Sequence, residues 1–251
     1  MVSSVGMRHY RVYSDTALAV GAQAELDKGA AKHLAAVLRV GLGDTITVFN
    51  GDGFNYLCSV IEITKSALSV SVVSKSDPEN ESNLATTLGL AVSKGDRFEW
   101  AVKKATELGV TSIAPLLTQR VDVRLPPDRW AKKRSHWQQV VIAACEQSGR
   151  AFVPTVCDAK PLANWLATLD ADTRFVLDPK ALGAAEPADE PRHIALLIGP
   201  EGGLTDEEVA LAKANHFIGL SLGPRIMRTE TAPIAALSII GARWGDLNTF
   251  Q

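Results

Sequence analysis

The pattern of apolar and polar positions changes character about a third of the way along the chain. Before residue 84, Thr45-Ile-Thr-Val-Phe49, Phe54 to Ile63 and Leu68 to Val73 are short runs rich in β-branched and aromatic residues. The first two are separated by the turn sequence Asn50-Gly-Asp-Gly53, which predicts a β-rich N-terminal region with a hairpin. One short helix is expected over Lys32 to Val40. Ser74 to Asn83 is polar, contains Pro78 and has no apolar period, so it reads as a connector between domains.

Beyond the connector, apolar runs alternate with segments of helical period, the pattern of an α/β domain with a largely parallel sheet. Leu88 to Val92, Phe175 to Leu177, Ile194 to Ile198 and Ile218 to Leu222 are the expected strands. Each is apolar on both faces, as buried parallel strands are. Phe98, Ala101, Val102, Ala105 and Leu108 recur at helical spacing, with Gly109 placed to end that helix. A second helix is expected from Trp130 to Gln147.

Composition adds bounds. The chain has 251 residues, 46% hydrophobic and 22% charged, which suits a soluble protein of two domains with full cores. No apolar run approaches the roughly 20 residues that cross a bilayer. The three cysteines form no C-x-x-C pair, so a reduced, cytoplasmic setting is expected. The net charge of -2 conceals an uneven distribution, because residues 91–150 carry 11 basic and 6 acidic side chains. A basic block of that kind is either a nucleic-acid face or a solvated helix surface.

Two segments stand out chemically. Ile198-Gly-Pro-Glu-Gly-Gly203 ends a strand and is followed by Thr205 and Glu208, a capping box that opens a helix. Glycines at the carboxyl end of a parallel strand allow close approach of backbone to a ligand, and they also make tight turns. No phosphate-binding Gly-Lys-Ser/Thr follows, and no dinucleotide fingerprint is present. The second segment runs from Leu220 through Gly223 to Ala232, again a strand end and a glycine turn before a helix near Pro233. Thr229, Glu230 and Thr231 suit the first turn of that helix. Arg225 and Arg228 lie beside an apolar strand, where guanidinium groups require partners. The five histidines have no metal-ligand spacing and no metal is expected. Trp100, Trp130, Trp137 and Trp244 fall on expected helices and read as core.

Taken together, Ile198-Gly-Pro-Glu-Gly-Gly203 and Leu222-Gly-Pro-Arg-Ile-Met-Arg-Thr-Glu-Thr-Ala232 resemble the signature of the RsmE family of methyltransferases. Lys94 to Val110, Glu146 to Pro154 and His33 to Gly53 resemble further blocks of that family in the same order. The chain departs from the family pattern at Val121, where serine is usual, and at Met227, where leucine is usual.

The resemblance implies a SPOUT α/β methyltransferase domain threaded into a trefoil knot, at 86–251. It implies a small PUA-like β-barrel for RNA binding at 1–76 and a linker at 77–85. It further implies a homodimer, S-adenosyl-L-methionine as cofactor, and methylation of uridine N3 in 16S rRNA of the small ribosomal subunit. Another RNA position, or a non-catalytic RNA-binding assembly factor, is the alternative.

Carried to this sequence, the resemblance surrounds the cofactor with Leu177, Ile198, Gly199, Pro200, Glu201, Gly202, Gly203, Leu220, Leu222, Gly223, Ile226, Met227 and Thr229. Of these, Leu177, Ile226 and Met227 are expected to form apolar walls. Arg228 is the candidate donor to charge on the pyrimidine and Glu230 the candidate proton acceptor. Arg8, Arg39, Lys94, Arg120, Arg134 and Arg150 are candidate RNA contacts.

Overall fold

The computed structural model describes residues 10–64, 67–123, 125–181, 187 and 189–247, which form two compact units. The first comprises the described residues through Glu81 together with Cys145–Val153. Its elements are β1 (Tyr10–Tyr13), β2 (Gln23–Glu25), α1 (Lys28–Lys32), a π-helical turn (His33–Leu38), β3 (Thr45–Phe49), β4 (Asn55–Ile63) and β5 (Leu68–Ser76). The strands pair in the order β1-β3-β4-β5-β2, and among the described residues the ladder does not close between β1 and β2. β1 runs parallel to β3 and the other pairs are antiparallel.

Alternating burial in β3, β4 and β5 places Ile46, Val48, Tyr56, Cys58, Val70 and Val72 in one core with Leu34 of the π-helical turn. The helix begins four residues before its expected start because Asp27 caps it, its carboxylate accepting from the backbone N–H of Gly29 and Ala30. It ends where Arg39 turns left-handed, at φ 55°. The expected connector starts late for a similar reason, since β5 continues to Ser76 paired with β4.

The stretch from Cys145 to Val153 belongs to this first unit through a polar knot that the sequence reading missed. Arg11 donates to the carbonyls of Cys145 at 2.6 Å and Arg150 at 2.7 Å, and its guanidinium lies 3.8 Å over the Phe49 ring. Arg150 is only 4% exposed, and its Nε and Nη2 donate to Glu81 at 3.1 and 2.7 Å. Arg150 is therefore corrected from an RNA contact to an internal strut, because a buried guanidinium held by a carboxylate has no face to offer a phosphate. Removing one partner leaves a poorly compensated charge, so Glu81→Ala is expected to cost about 3 kcal/mol in chemical denaturation.

The second unit comprises β6 (Ala85–Ala91), α2 (Arg97–Glu107), β7 (Ser112–Leu117), α3 (Pro127–Ser148), β8 (Thr155–Val156), β9 (Lys160–Pro161), α4 (Leu162–Thr168), β10 (Thr173–Leu177), β11 (His193–Ile198), α5 (Asp206–Ala214), β12 (Ile218–Leu220) and α6 (Thr231–Trp244). The last turn of α3, from Cys145, groups with the first unit. Its sheet has the order β12-β10-β11-β6-β7-β8, with β9 also on β7, and every pair is parallel.

β7 escaped the sequence reading because it contains Pro115, a residue that argues against an interior strand. On one side β8 pairs Ser112 and Ile113, and β9 pairs Leu116 and Leu117. The proline falls in the gap between those two short ladders. α4 was also missed, its seven residues being too few to establish a period, yet Trp165 on it is 4% exposed and packs on Gly89 of β6. A Cβ at Gly89 would stand 2.5 Å from that indole, so glycine is required in the middle of this central strand. Of the tryptophans read as core, Trp137 is buried and packs at a tilt with its ring centroid 4.3 Å from that of Phe98, whereas Trp100 is 44% exposed. None of the three cysteines is in a disulfide.

Candidate active site

Parallel pairing brings the ends of β10, β11 and β12 to one edge of the sheet. Leu177 is in register with Leu220, and Val176 is in register with Leu197, so Leu177, Ile198 and Leu220 finish at the same level. Three turns therefore leave adjacent strands side by side and enclose a cavity of about 730 Å³. This lies within the range of small-molecule clefts, roughly 300–1,000 Å³. Every residue from Ile198 to Gly203, together with Leu177, Leu220, Leu222, Gly223, Ile226, Met227, Arg228, Thr229 and Glu230, lines it. Ile226, expected as a wall, stands at the mouth instead, with 91% of its surface exposed.

The glycine turn after β11 is built from both sides. Gly203 has φ 69° and donates its N–H to the Pro200 carbonyl at 2.8 Å. A Cβ at Gly199 would lie 2.8 Å from the Leu204 nitrogen, so the chain can fold back only at glycine. Thr205 and Glu208 form the expected capping box of α5. The Glu208 carboxylate does more than cap. It is 6% exposed, and besides Thr205 N–H at 2.9 Å it accepts Gln119 N–H at 2.7 Å. That bond holds the loop after β7 against the turn and sets Arg120 over Gly202, with Nη1 donating to the carbonyls of Gly202 and Leu204. Glu208→Ala leaves the buried Thr205 N–H and the Gln119 N–H without their acceptor. The expected loss is about 2–3 kcal/mol in thermal unfolding, with the Arg120 loop released from the turn.

The charged groups around the cavity sort into paired and unpaired. Glu201 accepts from Arg97 at 2.9 Å and from the Lys94 N–H at 3.2 Å. Lys94 Nζ meets Asp122 at 2.7 Å, a hydrogen bond that raises the pKa of the ammonium. Lys180 and Asp206 form an exposed pair at 2.7 Å, whose hydrogen bond raises the pKa of the lysine and lowers that of the aspartate. Asp178, absent from the sequence reading, is buried at the end of β10, accepting from Lys213 Nζ at 3.1 Å and from Lys180 N–H at 2.9 Å. An aspartate directly after an apolar strand was the signal available for it.

Arg225 and Arg228 are exposed on the cavity lining, and neither is in an ion pair among the described residues. Glu230 is the N-cap of α6, yet its side chain makes no capping bond, and its buried Oε2 has no hydrogen-bond partner among the described residues. Capping, the structural alternative for Glu230, is thereby set aside.

The remaining predicted residues do not gather here. Arg39 is exposed in the first unit, and Arg134 is engaged by Asp158 at 2.9 Å. Arg8 lies outside the described residues. No group of three or more potential metal ligands occurs among the described residues.

Known proteins resemble this chain in sequence and fold. Residues 80–241 match the model of an RNA methyltransferase domain, and residues 26–73 that of an RNA methyltransferase PUA domain. The ribosomal RNA small subunit methyltransferase E of Buchnera aphidicola is 30% identical over 240 residues, covering 95% of this chain and 98% of its own. This chain belongs to the ribosomal RNA small subunit methyltransferase E family. The Bacillus subtilis member is 34% identical over 83% of this chain and 85% of its own. Among solved structures, a methyltransferase from Legionella pneumophila in complex with bound SAM superposes with a TM-score of 0.90 at 38% identity, over 96% of this chain and all of that one. The family member from Neisseria gonorrhoeae bound to S-adenosyl methionine does so with a TM-score of 0.90 at 34% identity and the same coverage. The N-terminal unit is thus PUA-like, and the all-parallel unit is the methyltransferase domain.

Proposed function

We propose that the protein transfers a methyl group from S-adenosylmethionine to N3 of a uridine in 16S ribosomal RNA of the small subunit. The observation that carries this reading is the convergence of three strand-end turns on one cavity, with a Glu230 oxygen that has no hydrogen-bond partner and an Arg228 in no ion pair, among the described residues, on its lining.

The residues present fit that cofactor. Leu177, Ile198, Leu220 and Met227 supply apolar lining, and the irregular backbone of 221–229 supplies polar groups without a side-chain penalty. No Gly-Lys-Ser/Thr phosphate loop lies on the lining among the described residues, and its Lys180 is paired with Asp206. When bound, the cofactor supplies a methyl group activated by attachment to a sulfonium. Uridine N3 carries a proton and is a poor nucleophile until that proton leaves. Glu230 accepts the proton, and its oxygen, uncommitted to any other donor, is available for it. Arg228 donates to the negative charge that spreads onto the pyrimidine carbonyls. The exposed loop with Arg225, Ile226 and Arg228 receives the base and is covered by RNA and by the second subunit of a homodimer.

The reading extends to a trefoil-knotted domain at 86–251 and to a PUA-like barrel at 1–76 that binds RNA, with 77–85 as linker. The protein acts in the cytoplasm on the small subunit. No helix among the described residues is long and apolar enough to cross a membrane. In vitro methyl transfer to small subunits purified from a strain lacking the modification, followed by mass spectrometry of the 16S RNA, tests the proposal. A single methyl on uridine N3 is expected, and methyl on a ribose or on no nucleotide overturns it.

A further inference from the structure

The N-terminal half of α3 projects with little of it covered. Every residue from Pro126 to Arg129 and from Ala131 to His136 is exposed, and burial begins only at Trp137. Within that half, Arg129, Lys132, Lys133 and His136 recur at i, i+3, i+4 and i+7 and so share one face. His136 is engaged by Glu99 of α2 at 2.7 Å. That contact sets α2 beside the stripe, and Lys103, one turn beyond Glu99, is exposed as well. Arg134, off this face, is neutralised by Asp158. Among the described residues Arg129, Lys132 and Lys133 are in no ion pair, whereas Lys94, Arg97, Lys104, Lys180 and Lys213 all are.

We infer that Arg129, Lys132 and Lys133 form a docking face for the phosphodiester backbone of RNA, separate from the cavity that holds the reacting base. The inference rests on the reading of the protein as an RNA methyltransferase and adds to it where the substrate is gripped. Three features single out this occupant. The stripe lies in the segment where 11 basic side chains face 6 acidic ones in a chain of net charge -2, so its charge is a local feature. The basic side chains are long, exposed and in no ion pair among the described residues, Lys133 lying 5.5 Å over the Trp137 ring, which suits phosphates spaced along a strand and not a single buried anion. Two of the three cations are lysines, a residue type depleted from the buried centres of protein–protein interfaces.

The test is the variant Arg129→Ala/Lys132→Ala/Lys133→Ala, measured with purified small subunits as RNA and with S-adenosylmethionine as donor. Neutralising about three phosphate contacts is expected to lower the salt slope, d log K/d log [KCl], by about 2–3 in magnitude. KM for the subunit is expected to rise about tenfold or more at physiological salt, with kcat, cofactor affinity by calorimetry and melting temperature unchanged. An unaltered salt slope and KM would overturn the inference, and so would a fall in kcat with no change in KM. Failure of the unaltered protein to methylate the subunit would instead sink the functional reading. Lys104→Ala, which removes a cation already paired with Glu107 at 2.7 Å, is the control and is expected to leave the slope unchanged.

Discussion

Arg228→Ala is expected to lower kcat for methyl transfer by about 10²–10³-fold while leaving the affinity for S-adenosylmethionine, read by calorimetry, within a few-fold of its original value. The asymmetry follows from where the residue sits. Its guanidinium lies exposed on the cavity lining and is in no ion pair among the described residues, so removing it breaks no ion pair there. The group is free to donate to charge that appears only as uridine N3 loses its proton. An interaction confined to the transition state changes kcat, and one that shapes the pocket changes binding as well. Parallel losses in both quantities would mean that Arg228 builds the pocket. Glu230→Gln, which keeps the shape and removes the base, would then become the variant to follow.

The second large effect is expected at the glycine turn. Gly199→Ala places a methyl group 2.8 Å from the Leu204 nitrogen and 3.0 Å from the Gly203 carbonyl carbon, both backbone atoms with no rotamer to give way. The turn must open, at a cost of about 1–3 kcal/mol. That strain falls on the segment expected to meet the cofactor, so affinity should fall by about tenfold or more. Gly202→Ala is the contrasting case. Its nearest neighbour is the Arg120 Cδ at 3.2 Å, the stem of a flexible side chain, so it should be tolerated with a much smaller loss. Equal affinities for the two variants would show that the geometry of this turn does not govern binding.

Much of the architecture is legible from local pattern. The strands β3, β4, β10 and β11 and the helices α2 and α3 emerge from apolar period alone. The capping box at Thr205 and Glu208 and the left-handed Gly109 follow from short-range chemistry. Elements were missed where the local rule points the wrong way or is too short to speak. Pro115 argues against β7 until the two short partner strands beside it are known, and α4 has too few residues to establish a period. Asp178 was overlooked because nothing adjacent in the chain reveals that Lys213, 35 residues later, meets it.

The charged residues divide most clearly between the two kinds of information. Eleven basic residues in the middle block can be counted from the chain, but their partners cannot. Arg150 is equivalent on paper to Arg129, yet one is sealed against Glu81 and the other stands in solvent.

By itself the sequence determined a β-rich N-terminal region followed by an α/β unit with a parallel sheet, the two glycine turns and the family to which they belong, because periodicity, turn chemistry and motif order are properties of neighbours along the chain. Only the tertiary structure decided that three strand ends finish level and share one cavity, that Glu208 ties the Arg120 loop to the turn, and which cations remain free. Strand order, register and ion pairing join residues tens to more than a hundred positions apart, and packing alone brings such residues within hydrogen-bonding distance.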